Sequence, residues 1–147
     1  MVKINKKVEY ALMVLKHMYN KPEEELTTAR EICDKYQIPF DTTAKVMQQM
    51  NSYGFFNSQK GVKGGYSLKI NLKNISYLEL VELVEGKNST IDCMSDKCSL
   101  LNSCNIVSPM KKLNEHLVYF FKGLSLDELL IQNSQSPLDK INEVTGR

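Results

Sequence analysis

The chain has 147 residues, the size of one domain or of one small domain with an appended element, which argues against a multi-domain enzyme. With 42% hydrophobic and 24% charged residues it is too apolar for a disordered protein, and it carries no uninterrupted apolar run long enough to cross a bilayer. The net charge of +2 hides an asymmetry, because residues 1–75 hold 12 Lys and Arg against 7 Asp and Glu while residues 76–147 hold 7 against 10. The N-terminal half is therefore the part suited to a polyanion. The first residues are charged without the apolar stretch of a secretory signal, so a cytoplasmic location with reduced cysteines is expected.

Ile4, Val8, Ala11, Leu12, Leu15, Met18 and Tyr19 recur at the spacing of one helical face, which predicts a first helix from Asn5 to Tyr19. After an acidic loop, Thr27 or Thr28 can cap a second helix, with Glu31 placed to complete a capping box, and this helix ends near Tyr36. Pro39 lacks an amide donor and pushes Ile38 out of helical geometry, so the next residues turn. Asp41 then caps a third helix, Thr42 to about Tyr53, that stops at Gly54. Three short helices with a tight turn before the last describe a helix-turn-helix, whose second helix enters the DNA major groove. Val46, Met47 and Met50 form its inward face. Thr42, Thr43, Lys45, Gln48 and Gln49 form a polar face able to bond phosphates and base edges.

Phe55 to Ser58 reads as a strand and Tyr66 to Ile70 as its returning partner, joined by a glycine-punctuated turn. Lys60 and Lys63 in that turn, beside Gly61, Gly64 and Gly65, are a wing able to meet a phosphate chain. Ser76 caps a helix from Tyr77 to Glu85 that Gly86 ends. Residues 87–107 have no sustained period. Ser108 and Pro109 start a long helix with Met110, Leu113, Leu117, Phe120 and Leu124 alternating three and four apart, a short heptad seam and the natural dimer contact. Ser125 caps a last short helix, Leu126 to Ile131, and 132–147 is expected to be a loosely held tail. The fold class is mainly α with a small β wing, organised as a winged helix-turn-helix over 1–75, a cysteine loop and dimerisation helices over 76–131, and the tail.

Three of the four cysteines fall in the aperiodic loop as Cys93-x4-Cys98-x5-Cys104. An odd number of thiols in a reducing compartment is poor material for disulfides. Structural zinc favours closer pairs, whereas these gaps suit a larger object such as an iron-sulfur cluster, with the following helix aiming its positive end at an anionic group. Cys33, on the second helix, is expected to be a small buried apolar residue. No nucleotide fingerprint or nucleophile–base pair points to catalysis, so no enzyme is expected.

The run Val8-Glu9-Tyr10-Ala11-Leu12, the wing Lys60-Gly61-Val62-Lys63-Gly64-Gly65-Tyr66-Ser67-Leu68 and the cysteine triplet resemble the Rrf-two family of bacterial transcription regulators. That family includes iron-sulfur cluster regulators of the IscR type and nitric-oxide-sensing repressors of the NsrR type. The resemblance covers residues 1–131 and implies a homodimer that binds a double-stranded DNA operator, with a 2Fe-2S or 4Fe-4S cluster whose state changes DNA affinity. It implies Cys93, Cys98 and Cys104 as metal ligands. Cluster-biogenesis regulators add a histidine three residues after the last cysteine, a position held here by Val107. The nitric-oxide and redox sensors use instead a carboxylate on the first helix of the partner subunit, and the matching residue is Glu9, for which pairing with Lys6 is the alternative. His17 and His116 are the other candidates for that ligand, with plain polar surface groups as the expected alternative for both. The family usually has five or more residues where four separate Cys93 from Cys98, which leaves the cluster type open. A cluster-free regulator responding to thiol oxidation or a small metabolite would use the same scaffold, and an electron-transfer protein is the remaining reading.

Overall fold

The computed structural model describes residues 4–86 and 98–131. Helix α1, Lys6–Tyr19, starts where the Asn5 side chain accepts the Lys7 amide at 2.9 Å, a cap that satisfies one of the donors a helix start leaves open. It buries Val8, Ala11, Val14, Leu15, His17 and Met18. The buried stripe is thus rotated from the expected one, since Ile4 and Tyr19 at its ends stay exposed while Val14 and His17 turn inward. Helix α2, Ala29–Tyr36, is capped by Thr28, whose hydroxyl accepts the Glu31 amide at 3.1 Å. The capping box is only half formed, because the Glu31 carboxylate is engaged by His17 and Lys21. Gln37 ends α2 in the left-handed conformation with φ 55°.

Helix α3, Phe40–Ser52, begins two residues earlier than expected. Pro39, with φ −62° and ψ 128°, is the residue before it, and Asp41 lies inside the first turn rather than capping it. There its negative charge still meets the positive end of the helix. Strands β1, Phe56–Gln59, and β2, Gly65–Leu68, pair antiparallel with Phe56 opposite Leu68 and Gln59 opposite Gly65. A bridge ties this wing to the body: Thr27 and Tyr66 exchange backbone hydrogen bonds at 2.8 and 2.9 Å.

Helix α4, Tyr77–Glu85, has the full capping box, with Ser76 accepting the Glu79 amide and Glu79 accepting the Ser76 amide at 2.7 Å. Helix α5, Val107–Gly123, starts one residue before Ser108, and α6, Leu126–Leu130, is capped by Ser125 as expected. The starts of α4 and α6 are pinned to each other by Tyr77 N–H to Leu124 C=O at 2.7 Å and Leu126 N–H to Ile75 C=O at 2.8 Å. One core joins both halves of the chain: Val8, Leu15, Ile32, Met47, Met50 and Phe55 pack with Leu72, Leu80, Val84 and Leu126. Helix α5 differs from the others in having no buried residue, and it is held by the Phe121 ring against Tyr77 at 5.0 Å between centroids. Among the described residues no helix is long and apolar enough to cross a membrane. The expected tail, 132–147, lies outside the described residues.

Candidate functional site

The outward face of α3 is narrower than its polar residues imply. Lys45 and Gln48 are exposed and Thr42 is half-buried, but Thr43 is fully buried and donates its hydroxyl to the Pro39 carbonyl at 2.7 Å. This bond to the carbonyl one turn back satisfies the hydroxyl internally and lets threonine behave as a core residue. Gln49 also leaves the expected face, because its amide donates to the Leu83 carbonyl in the last turn of α4. The residues free to meet a ligand are therefore Thr42, Lys45 and Gln48, joined by exposed Asp41.

Beyond α3, the wing tip holds Lys60 and Lys63 exposed on either side of Gly61 and Val62. Gly61 takes φ 111°, a region open to glycine at little cost. Gly64 is required for a different reason: a Cβ there would lie 2.3 Å from the Gln59 carbonyl oxygen and 2.9 Å from that of Gly61. The wing is thus a tight cationic turn fixed to α2 through Thr27.

Sequence reasoning missed a network under this surface. His17 is buried, with Nδ1 2.9 Å from the Tyr36 hydroxyl and Nε2 2.9 Å from Glu31 Oε1. Lys21 Nζ reaches the same Glu31 oxygen at 2.8 Å. Burial pushes the Glu31 carboxyl up, but hydrogen bonds from Lys21 and His17 and their charges outweigh it, so its pKa falls below the ordinary value. Burial likewise lowers the Lys21 pKa, and its bonds to Glu31 and Glu25 more than reverse this. The network clamps α1 to α2. Its sequence signal was the position of His17, three residues after Val14 on the buried stripe. His116 is exposed, as expected.

Cys98 and Cys104 are free and half-buried, on a run of turns that leads into α5; the Cys104 amide donates to the Leu100 carbonyl at 2.8 Å. Cys93 lies outside the described residues. No side chain caps the start of α5, three residues beyond Cys104, so the positive end of the helix follows closely on that thiol in the chain. Among the described residues no three His, Cys, Asp or Glu side chains converge. Glu9 is partly exposed, its carboxylate 2.7 Å from Lys6 Nζ, and this bond with its charge raises the Lys6 pKa. Cys33 is free and buried, as expected. On α5, Met110 and Leu117 are half-buried and Leu113 and Phe120 exposed, whereas Leu124 packs on the core.

The Rrf2 family, described as iron-dependent transcriptional regulators, matches residues 4–132. A protein of Aquifex aeolicus (strain VF5) named as an HTH-type transcriptional regulator is 30% identical over 127 residues, covering 84% of this chain and 88% of the relative. Among solved structures, CymR, the global cysteine regulator of B. subtilis, has a TM-score of 0.66 at 18% identity over 88% of this chain and 97% of its own. The oxidized form of Staphylococcus aureus CymR gives 0.69 at 17%, over 92% and 100%. IscR of T. potens gives 0.64 at 15%, over 94% and 96%. These structures share the fold of mostly helices with a two-stranded wing. With the family matched across all the described residues, the chain belongs to the Rrf2 family of DNA-binding transcriptional regulators.

Proposed function

We propose that the protein is an operator-binding repressor that acts as a homodimer, and that an iron-sulfur cluster held by Cys93, Cys98 and Cys104, with Glu9 of a second copy as fourth ligand, controls its DNA affinity. The donor set suits such a group in kind: Cys98 and Cys104 are unpaired thiols, half-buried, shortly before the uncapped start of α5. Bound there, the cluster would supply a link between copies that oxidants or nitric oxide can break. Glu9 must exchange the Lys6 ammonium for metal, which makes it a weak and replaceable ligand.

The observation that carries the reading is the position of the thiol segment between α4 and α5. Helix α4 is bonded to the DNA-reading helix through Gln49 and the Leu83 carbonyl, and α5 carries the seam, in which Leu113 and Phe120 stay exposed. A change in how the segment is held therefore acts on the angle between recognition helices and on their spacing across a dimer, which must match the operator half-sites.

Anaerobic purification with iron and sulfide reconstitution tests this. A visible chromophore should form in the wild type and in Cys33→Ala, and be lost in Cys93→Ala, Cys98→Ala and Cys104→Ala. Glu9→Ala should assemble a chromophore that decays faster. Operator affinity should change on exposure to nitric oxide or air. A colourless wild type with intact, oxidant-sensitive operator binding would replace the cluster by thiol chemistry, the reading to which the oxidized relative lends weight.

A further inference from the structure

Helix α3 opens on an aromatic ring that its own fold leaves in water. Phe40, its first residue, is 43% exposed, and the Arg30 guanidinium from the first turn of α2 lies over the ring, with Cζ 5.0 Å from the centroid. Arg30 is exposed and makes no ion pair among the described residues, so it keeps its hydrogen-bond donors available while it stacks. In a helix-turn-helix the N-terminal residues of the second helix contact base edges and the first helix crosses the phosphate backbone. Phe40 and Arg30 hold those two positions.

A phenyl ring has no hydrogen bond to offer a base edge. What it can read is the 5-methyl of thymine, the one apolar group on the major-groove edges. A guanidinium bonds phosphate through its edge while its flat face stacks on an aromatic ring. Arg30 can therefore contact the backbone and hold the Phe40 ring at once. We propose that Phe40 is a specificity-determining residue that reads a thymine methyl in each operator half-site, and that Arg30 is the positioning residue that orients its ring. This rests on the DNA-binding reading of α3 and adds a contact that neither its polar residues nor the wing supplies.

The test starts from an operator selected out of random duplexes by the full-length protein. Each thymine is then replaced singly by deoxyuridine, which removes only the methyl. Wild-type affinity should fall about fourfold at one thymine per half-site, the value for burying one methyl-sized group. Phe40→Ala should be insensitive at that thymine and retain the wild-type response at the others. Phe40→Leu, which keeps an apolar side chain, should retain part of the effect. Arg30→Lys should keep the salt dependence of one phosphate contact yet weaken the deoxyuridine effect, because an ammonium cannot stack flat. A Phe40→Ala profile identical to wild type, in a variant with unchanged far-ultraviolet circular dichroism, overturns the proposal. So does a wild type indifferent to every methyl. Failure of the selection to enrich any sequence overturns the DNA-binding reading itself, and this inference with it.

Discussion

Glu31 shows how one carboxylate can serve two elements. Its backbone amide is taken by the Thr28 cap, while its side chain holds His17 of α1 and Lys21 of the following loop. Because hydrogen bonds and charge depress its pKa in the folded protein, its contribution is complete above the ordinary carboxylate range. It is lost as the pH falls through the depressed value. Glu31→Gln should therefore destabilise the protein at pH 7 by about 1 kcal/mol, a charged hydrogen bond discounted for water access to a side chain 37% exposed. The gap to wild type should narrow as the pH falls below the ordinary carboxylate range and through the depressed value, where the wild-type carboxylate becomes protonated. Urea titrations at pH 7 and at a series of acid pH values measure it, and a gap of equal size throughout would exclude the ionic role.

At the scale of elements, the wing joins a conformational requirement to a charge. Lys60→Ala and Lys63→Ala should each lower the slope of log affinity against log salt by about 0.9, on specific and random duplexes alike, if each neutralises one phosphate. Gly64→Ala should weaken binding in the same sequence-independent way, since its Cβ meets the Gln59 carbonyl and forces the turn open. Stability should fall by only about 1 kcal/mol, as the turn stands outside the core. Binding titrations at several salt concentrations, paired with thermal melts, decide both, and a sequence-selective loss from any of the three would make the wing a base reader. The elements themselves were legible because their signals are local: Ser76 and Ser125 cap the helices their positions predict, and of the two threonines able to cap α2 it is Thr28 that does so. The start of α3 departs from its sequence signal because Asp41 is a better cap by residue type than Pro39, which nonetheless holds the position. The side chains that misled, Thr43, Gln49 and His17, are polar groups that find partners inside the fold. Polarity alone does not distinguish an internal partner from water or DNA.

At the scale of the molecule, α5 is the part that the chain's own core does not account for. Every other helix contributes buried residues, α5 none, and it presents Leu113 and Phe120 at 46% and 53% exposure. The heptad spacing was visible in the sequence; which copy covers the seam was not, because an exposed apolar row is equally compatible with packing on its own domain. Since only Leu124 of the five seam residues packs on that core, Met110, Leu113, Leu117 and Phe120 are left for the proposed second copy. Leu113→Asp and Phe120→Asp place a charge in that contact at residues outside the monomer's buried core, Phe120 meeting it only through the Phe121 ring, so circular dichroism and thermal unfolding measured at equal dilution should stay monomer-like and folded. In sedimentation equilibrium at micromolar concentration the wild type should be a dimer and either variant a monomer. Because two half-sites bound together gain effective concentration, the variants should lose at least about a hundredfold in affinity for the full operator and far less for an isolated half-site. A variant that remains dimeric, or one that loses affinity equally for the half-site, would move the dimer contact elsewhere on the chain and leave the exposure of α5 without its explanation.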